Sequence, residues 1–172
     1  MNFKRFGLVL SCILLVVIGS FTWLAISEQK KPLDSSVTVS GLQARVQSDS
    51  QPVLARIGET DYYEIDPSNS FSDLFMFDEW EYSSSPLSEP TRGEISSEKT
   101  FLSLQFQELW VVNFCSNGQV AVHNGYGPSD KKTTAYYTAP ESVTDQVIEY
   151  LVQNGQRHEL GDGTIGLGSF VY

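Results

Sequence analysis

The residues most able to carry chemistry in this chain are few and widely spaced. Two histidines, His123 and His158, and one cysteine outside the N-terminal apolar run, Cys115, are the candidate bases, nucleophile and metal ligands. A catalytic triad needs a nucleophile, a base and an orienting acid brought together, and a zinc site needs three or four ligands. These three residues stand in unrelated sequence contexts. The sequence therefore predicts no catalytic, metal-binding or cofactor-binding site.

The stretch between Cys115 and His123 bears on one nucleophile–base pair. It contains Asn117-Gly118, a strong signal for a β-hairpin, because both central residues of a type I′ turn need positive φ. A two-residue turn at this pair predicts that Cys115 lies opposite Val120. His123 is then three residue pairs away from Cys115, which argues against a thiolate–imidazole pair.

Aromatic side chains are the residues that we expect to contact a partner. The three candidates are Trp80, Trp110 and Tyr126, because large rings offer extensive apolar contact. Tyr126 is the best placed, since it stands in the loop 125–128, of sequence Gly-Tyr-Gly-Pro, and loops carry exposed sites. The alternative interpretation is that these rings pack in the core or against a turn.

An apolar run near the N-terminus is the strongest single pattern. Residues 6–26 are 21 residues without a charge. A helix of that length rises about 31 Å, which matches the hydrocarbon core of a bilayer. Lys4 and Arg5 precede the run, in the layout of an export signal. The pattern predicts an uncleaved, single-pass transmembrane signal anchor, with the remaining chain outside the cytoplasm.

Two alternatives to the anchor stay open at this point. Ala25-Ile26-Ser27 fits a small-x-small cleavage site, so the run would be a signal peptide and the domain would be secreted after cleavage near Ser27. The other is a lipoprotein, because residues 9–12 read Val-Leu-Ser-Cys, although only six residues separate Arg5 from Cys12.

The charge and the cysteine content of the chain restrict the classes of partner and of protein that the sequence fits. The net charge of −10 repels nucleic acid and anionic lipid headgroups, and no basic patch with interleaved aromatics is present, so nucleic-acid binding is not predicted. The two cysteines, Cys12 and Cys115, lie in separate segments, so no intrachain disulfide is expected. An exported domain without disulfides indicates a bacterial surface rather than an animal secreted module.

Periodicity predicts the elements of the domain. Alternating apolar residues predict strands over 37–39, 42–46, 53–65, 101–106, 109–115, 120–123 and 133–137. Helical spacing predicts a short helix over 71–79 and a longer one from Pro140 to Asn154. The later strands form an antiparallel meander of about four strands, and the C-terminal helix is expected to lie across one face of it.

The sequence thus predicts an α+β fold in which an N-terminal transmembrane helix precedes a small domain. The five segments are a cytoplasmic n-region (1–5), the transmembrane signal anchor (6–26), a stalk (27–36), the extracytoplasmic domain (37–155) and a Gly-rich C-terminal tail (156–172). Residues 6–26 would make the membrane one partner.

Three functions are compatible with these predictions. The first is a non-enzymatic binding or interaction module of the bacterial cell envelope, with a protein, a peptide or a wall component as its partner. The second is an envelope hydrolase that uses scattered Asp, Glu or His residues. The third is a sensory or regulatory accessory of a neighbouring membrane protein. A pocket with convergent titratable groups would favour the hydrolase.

Overall fold

The protein folds around one large antiparallel sheet, seen here in a computed structural model. The structure describes residues 13–23, 30–48, 51–58, 61–84, 100–106, 110–115 and 118–158. Within these ranges it is α+β, as predicted, with eight strands in one sheet and four helices.

The sheet is wider than the predicted meander. Its strands are β1 (Val53–Ile57), β2 (Asp61–Ile65), β3 (Glu81–Ser83), β4 (Thr100–Phe106), β5 (Trp110–Cys115), β6 (Gln119–Asn124), β7 (Thr134–Thr138) and β8 (Gln156–His158). The order across the sheet is β3-β7-β6-β5-β4-β1-β2-β8, and every neighbouring pair is antiparallel. The predicted meander is β4 to β7, and β1, β2, β3 and β8 extend it on both sides.

The helices are α1 (residues 13–23), α2 (Val39–Ser48), α3 (Asn69–Asp73) and α4 (Glu141–Asn154). Short 3-10 turns cover Ser35–Val37 and Phe77–Glu79. Helix α4 begins after Pro140, as predicted, and its buried side chains Val143, Val147 and Leu151 recur every four residues. That spacing gives α4 the single apolar face that it packs on the sheet.

The predicted transmembrane helix over 6–26 is wrong. Within the described residues, none of the helices is both long enough and apolar enough to span a bilayer. The described part of helix α1, residues 13–23, rises about 16 Å. Its side chains are exposed, with Leu15 and Trp23 about 70% accessible. The predicted membrane partner depended on this helix and is not carried further.

One face of the sheet forms the core, and α2, α3 and α4 cover it. The sheet contributes every second residue of its central strands, because successive side chains point to opposite faces. The core members from β1, β4, β5 and β6 are Val53, Ala55, Leu102, Leu104, Phe106, Trp110, Val112, Phe114, Val120 and Val122. The helices contribute Leu42 and Val46 from α2, Phe71 from α3, and the apolar face of α4.

The predicted strands over 37–39 and 42–46 are also wrong, since Val37 ends a 3-10 turn and residues 39–48 form helix α2. Thr38 caps the helix: its Oγ1 accepts the N–H of Gly41 at 3.2 Å, which satisfies one of the free donors of the first turn. Val39, Leu42 and Val46 are spaced by three and four residues, which is the helical period. The capping threonine and this spacing outweigh the alternation that indicated a strand.

Strands β5 and β6 pair antiparallel, as predicted, but their register differs by one residue, and Asn117 of the predicted turn lies outside the described residues. Phe114, rather than Cys115, lies opposite Val120. Gly118 has φ +76°, the left-handed conformation that the turn was expected to need. The observed register puts Phe114 and Val120 on the core face together. A shift by one residue would move the whole apolar set of a strand to the other face, so burial determines the pairing.

Candidate functional site

A pocket of about 340 Å³ opens beside helix α2, where β5 begins and β6 ends. Six of the residues that line it carry polar atoms on their side chains: Ser36, Arg45, Ser48, Trp110, Asn124 and Tyr126. Its volume is at the lower end of the range for small-molecule sites. Such a space accommodates a group about the size of one amino acid or one sugar ring.

Helix α2 forms one wall because its outer face is made of small residues. Gly41, Ala44 and Ser48 lie three and four positions apart, so they share one face, and Arg45 stands beside them. Their short side chains leave the space that the pocket occupies. Leu42, on another face of the helix, is fully buried in the core and holds α2 against the sheet.

Gly41 lets the chain approach itself closely at the base of this wall. A Cβ atom at this position would lie 1.9 Å from the carbonyl oxygen of Ser35. The 3-10 turn Ser35–Val37 therefore packs directly on the first turn of α2. The same contact places Ser36 at the edge of the pocket.

Trp110 and Arg45 form the inner part of the pocket. Trp110 is only 3% exposed, and its ring packs edge-to-face on Phe106 with centroids 5.3 Å apart. The guanidinium carbon of Arg45 lies 5.9 Å from the Trp110 centroid, within cation–π range. The buried indole Nε1 of Trp110 has no hydrogen-bond partner in the described chain. A buried donor without an acceptor costs about 1–3 kcal/mol, so this atom calls for an explanation.

Tyr126 forms the outer rim, and Asn124 holds it in place. The Oδ1 atom of Asn124 accepts the N–H of Tyr126 at 3.0 Å, and its carbonyl oxygen accepts the N–H of Gly127 at 3.2 Å. This is the side-chain-supported turn that asparagine favours. Tyr126 itself is 68% exposed. The ring is thus accessible, while the backbone that carries it is fixed.

A chain of polar contacts fixes Asn124 in turn. Its Nδ2 atom donates to the Oγ of Ser36 at 2.8 Å, and that hydroxyl donates to the carboxylate of Asp34. These Ser36 hydrogen bonds, from the hydroxyl and from the backbone N–H, are the main reason that the pKa of Asp34 is lowered, and Lys131 at 3.6 Å adds to the effect. The pKa shift shows that the network stabilises the charged carboxylate.

Backbone contacts tie this network to the loop below Tyr126. The N–H of Asp34 donates to the carbonyl oxygen of Lys132 at 2.9 Å, and the N–H of Lys132 donates to Pro32 at 2.8 Å. The phenol of Tyr137 donates to the carbonyl oxygen of Val37 at 2.7 Å, and burial raises the pKa of Tyr137 to about 12. Contacts within the chain therefore order the rim of the pocket.

The structure brings two of the three predicted contact residues together. Trp110 and Tyr126 line the same pocket, whereas Trp80 lies in the core. The indole Nε1 of Trp80 donates to the carbonyl oxygen of Phe75 at 2.7 Å, and its ring packs edge-to-face on Phe114. The prediction of partner contact stays untested for all three residues.

The sequence reasoning missed Arg45, Ser36 and Asn124. Arg45 lies in a segment that was predicted to be a strand. The sequence therefore did not predict that it stands beside Gly41 and Ser48 on one face of a helix. Ser36 and Asn124 are 88 residues apart in sequence, and only the tertiary fold pairs them. The signal available in advance was the helical spacing of 39, 42 and 46, which predicts the correct element.

The residues considered as a nucleophile, a base or metal ligands do not lie close together in the described structure. His123 lies opposite Val111, four residues along β5 from Cys115, a separation of about 13 Å along the strand. Burial lowers the pKa of His123, and its Nδ1 lies 2.8 Å from the hydroxyl of Thr134. Across the described ranges, no group of three or more His, Cys, Asp or Glu residues is arranged to hold a metal ion.

Comparison with known proteins identifies no relative. No protein-family model, no curated protein and no solved structure matches this chain.

Proposed function

We propose that this protein is a non-enzymatic binding module and that its ligand site is the pocket between α2 and the loop of Tyr126. The observation that carries the proposal is the arrangement at Trp110. A buried ring with an unsatisfied donor lies beneath Arg45 and opens on the same space as an exposed tyrosine. A few convergent polar groups beside aromatic rings are typical of small-molecule sites.

The rim supports binding because it is already ordered. Asp34, Ser36 and Asn124 form one hydrogen-bonded chain that ends at the backbone of Tyr126. A site whose side chains are fixed beforehand loses less conformational entropy when it binds. A loop without such support would lose part of its affinity to the cost of ordering.

The lining groups favour binding over hydrolysis. A hydrolase needs an acid, a base or a nucleophile at hydrogen-bond distance from the reacting bond. Among the described residues that line the pocket, the titratable side chains are Arg45 and Tyr126. The side chain of His123 lies on the face of the sheet opposite to Trp110, because its strand partner is Val111.

The test uses the three tryptophans as internal reporters. Full-length protein with 15N-labelled indole groups is titrated with single amino acids, short peptides, monosaccharides and soluble cell-wall fragments. The Nε1–H signal of Trp110 should shift with at least one probe, while that of Trp80, which is bonded to Phe75, stays constant. Single Trp→Phe variants assign the signals. Equal shifts at both indoles, or no shift with any probe, would contradict the proposal.

Tyr126→Ala and Tyr82→Ala are the matched variants for this titration. Both tyrosines are exposed, at 68% and 51%, but Tyr82 lies on the edge strand β3, away from the pocket. We expect Tyr126→Ala to weaken binding about tenfold, which is a common cost for an aromatic contact residue, and Tyr82→Ala to leave it within twofold. Equal effects would mean that the binding site is elsewhere.

The proposal also locates the domain outside the cytoplasm, in a bacterial cell envelope. Support comes from Lys4 and Arg5 directly before the apolar run and from the cleavage-like Ala25-Ile26-Ser27. Expression in a bacterial host followed by intact-mass measurement tests this location. A product cleaved near Ser27 in the exported fraction would support it, and an uncleaved chain confined to the cytosolic fraction would contradict it.

A further inference from the structure

The inner part of the pocket holds a neutral donor whose hydrogen bond is not made. Trp110 lines the pocket, and its buried indole Nε1 has no acceptor in the described chain. Two other lining side chains are already used, because Asn124 donates to Ser36 and also accepts the N–H of Tyr126. An indole N–H can donate a hydrogen bond but cannot accept one. The ligand group that meets Trp110 is therefore an acceptor.

The charge at the pocket is already engaged within the protein, which favours a neutral acceptor. The guanidinium of Arg45 lies over the Trp110 ring and makes a further interaction within the chain. We therefore assign its charge to the wall of the pocket rather than to a ligand. An anion buried beside Trp110 would lose its hydration without gaining a new counter-charge. The net charge of −10 also opposes an anion.

A carbonyl oxygen fits this donor better than a hydroxyl group does. Both can accept from an indole N–H, but a hydroxyl brings an O–H that needs an acceptor of its own once it leaves water. The oxygens of Ser36 and Asn124 already take part in the chain of contacts from Asp34 to Tyr126. A carbonyl oxygen carries no hydrogen, so its burial against Trp110 leaves no donor unpaired.

The wall of the pocket leaves room for a small apolar group beside the carbonyl. Gly41 and Ala44 line it from one face of α2, and neither side chain is larger than a methyl group. At the rim, the exposed ring of Tyr126 offers a flat apolar surface for the rest of the ligand. An acetyl group combines the two features, since it joins a carbonyl oxygen to one methyl group.

We infer that this pocket binds the carbonyl oxygen of a small neutral amide, of the acetamido type. The inference rests on the proposed binding function and specifies its ligand. The amide oxygen accepts from the indole Nε1–H of Trp110, and the methyl group packs on Gly41 and Ala44. The body of the ligand, no larger than one amino acid or one sugar ring, lies against Tyr126.

An acetamido sugar and a peptide unit both supply this chemistry, and matched probes separate them. The pairs are N-acetylglucosamine with glucose, and N-methylacetamide with 2-butanol, in which a hydroxyl replaces the amide. Acetamide with acetate is a third pair, which tests the charge. Binding to the full-length protein is followed through the indole signal of Trp110 and the backbone amide signal of Tyr126. We expect at least one amide to bind about tenfold more tightly than its hydroxyl counterpart, and acetamide to bind more tightly than acetate.

Trp110→Phe tests the donor, because it keeps an aromatic ring and removes the N–H. The preference for the amide over the hydroxyl probe should fall to within about twofold, measured through the Tyr126 amide signal. Trp80→Phe is the matched control, since the Trp80 indole donates to Phe75 inside the core. It should leave the preference unchanged. Near-ultraviolet circular dichroism confirms that each variant is folded.

Ala44→Val tests the wall independently of the donor. The larger side chain occupies the space assigned to the methyl group, so amide binding should weaken at least tenfold. Gln47→Val is the control, because Gln47 is an exposed residue of the same helix that is not part of the pocket lining. It should leave binding within twofold. Equal effects of the two substitutions would overturn the assigned position of the methyl group.

The remaining outcomes separate this inference from the proposed function. Equal binding of the amide and hydroxyl probes, with loss in Tyr126→Ala, would overturn the carbonyl and leave the binding module standing. Tighter binding of acetate than of acetamide would overturn the neutral ligand. A preference that survives Trp110→Phe would overturn the role of the indole N–H. If no amide probe shifts the Trp110 signal, the inference fails, and the proposed function fails with it only if the wider set of amino acids, peptides and sugars is silent too.

Discussion

Trp80 and Trp110 occupy two regions of one core face, and they differ in what their polar edges do. Trp80 lies among Phe77, Phe114 and Tyr137, and its indole Nε1 donates to Phe75 at 2.7 Å. Trp110 is at least as buried, at 3% against 8%, yet its Nε1 has no partner in the described chain and Arg45 lies over its ring.

The difference shows that two buried tryptophan rings of one core face need not both have a partner for the indole N–H. A buried tryptophan normally satisfies its N–H, and Trp80 does so within its own segment. Trp110 lies at the boundary between the core and a pocket, where a ligand can supply the missing acceptor. Under the proposed function, the missing hydrogen bond, rather than the exposed area, distinguishes Trp110 from Trp80.

The largest effect is expected from Trp80→Ala. It removes a ring that touches three other aromatic rings, so the free energy of unfolding should fall by about 3–5 kcal/mol. Urea denaturation of the full chain measures this loss. The control Tyr82→Ala, at an exposed position, should cost less than about 1 kcal/mol. A small loss for Trp80→Ala would mean that the aromatic cluster contributes little to stability.

Gly41→Ala is expected to be next in size. The new methyl group would lie 1.9 Å from the backbone oxygen of Ser35, so the 3-10 turn and α2 must separate, at a cost of about 1–3 kcal/mol. Gly19→Ala is the control, because nothing lies within 4 Å of its added Cβ, and in a helix this change should stabilise by up to about 1 kcal/mol. Thermal unfolding of both variants tests the contact, and equal effects would refute it.

Replacing each tryptophan by phenylalanine tests directly whether the two indole N–H groups differ in their contribution to stability. Trp80→Phe leaves the carbonyl oxygen of Phe75 without its partner, whereas Trp110→Phe removes a donor that has none. Trp80→Phe should therefore cost about 1 kcal/mol more in unfolding free energy. Chemical denaturation of the two variants under the same conditions measures the difference. A larger loss in Trp110→Phe would show that its indole N–H is satisfied in the free protein.

Asn124→Ala should have a more local effect. It removes the bonds to Ser36 and to the N–H of Tyr126, and we expect about 1 kcal/mol of lost stability with faster hydrogen exchange at the Tyr126 amide. Asn124→Asp retains the acceptor but loses the donor, so its Tyr126 amide should stay protected. Unchanged exchange in Asn124→Ala would show that the rim is ordered by other contacts.

The smallest effect is a dependence of stability on pH. Burial lowers the pKa of His123 below its ordinary value of 6.5, so the unfolded chain binds more protons and stability falls as the pH drops below about 6.5. His123→Gln should flatten this part of the profile. Asp34, whose pKa is lowered from 3.8, loses its contribution only at lower pH, so Asp34→Asn should leave the profile near pH 6 unchanged. Unfolding measured from pH 4 to 8 separates the two.

Local patterns predicted correctly those elements in which only one of the two patterns, strand alternation or helical spacing, was present. Strands β4 to β7 and helix α4 follow the expected bounds closely, because alternation and helical spacing were each unambiguous there. The strand predictions over 37–39 and 42–46 were wrong because the spacing of Val37, Val39 and Leu42 fits a strand and a helix about equally well. The transmembrane helix over 6–26 was predicted from hydropathy alone, and none of the helices in the described residues is both long enough and apolar enough to span a membrane.

Local spacing and turn chemistry in the sequence were enough to predict the α+β class, the central meander and the C-terminal helix. The tertiary structure alone decided which aromatic rings share a pocket, because that depends on contacts between residues far apart in the chain. Ser36 reaches Asn124 across 88 positions, and Arg45 meets Trp110 only after α2 packs on the sheet. No local pattern encodes such pairings.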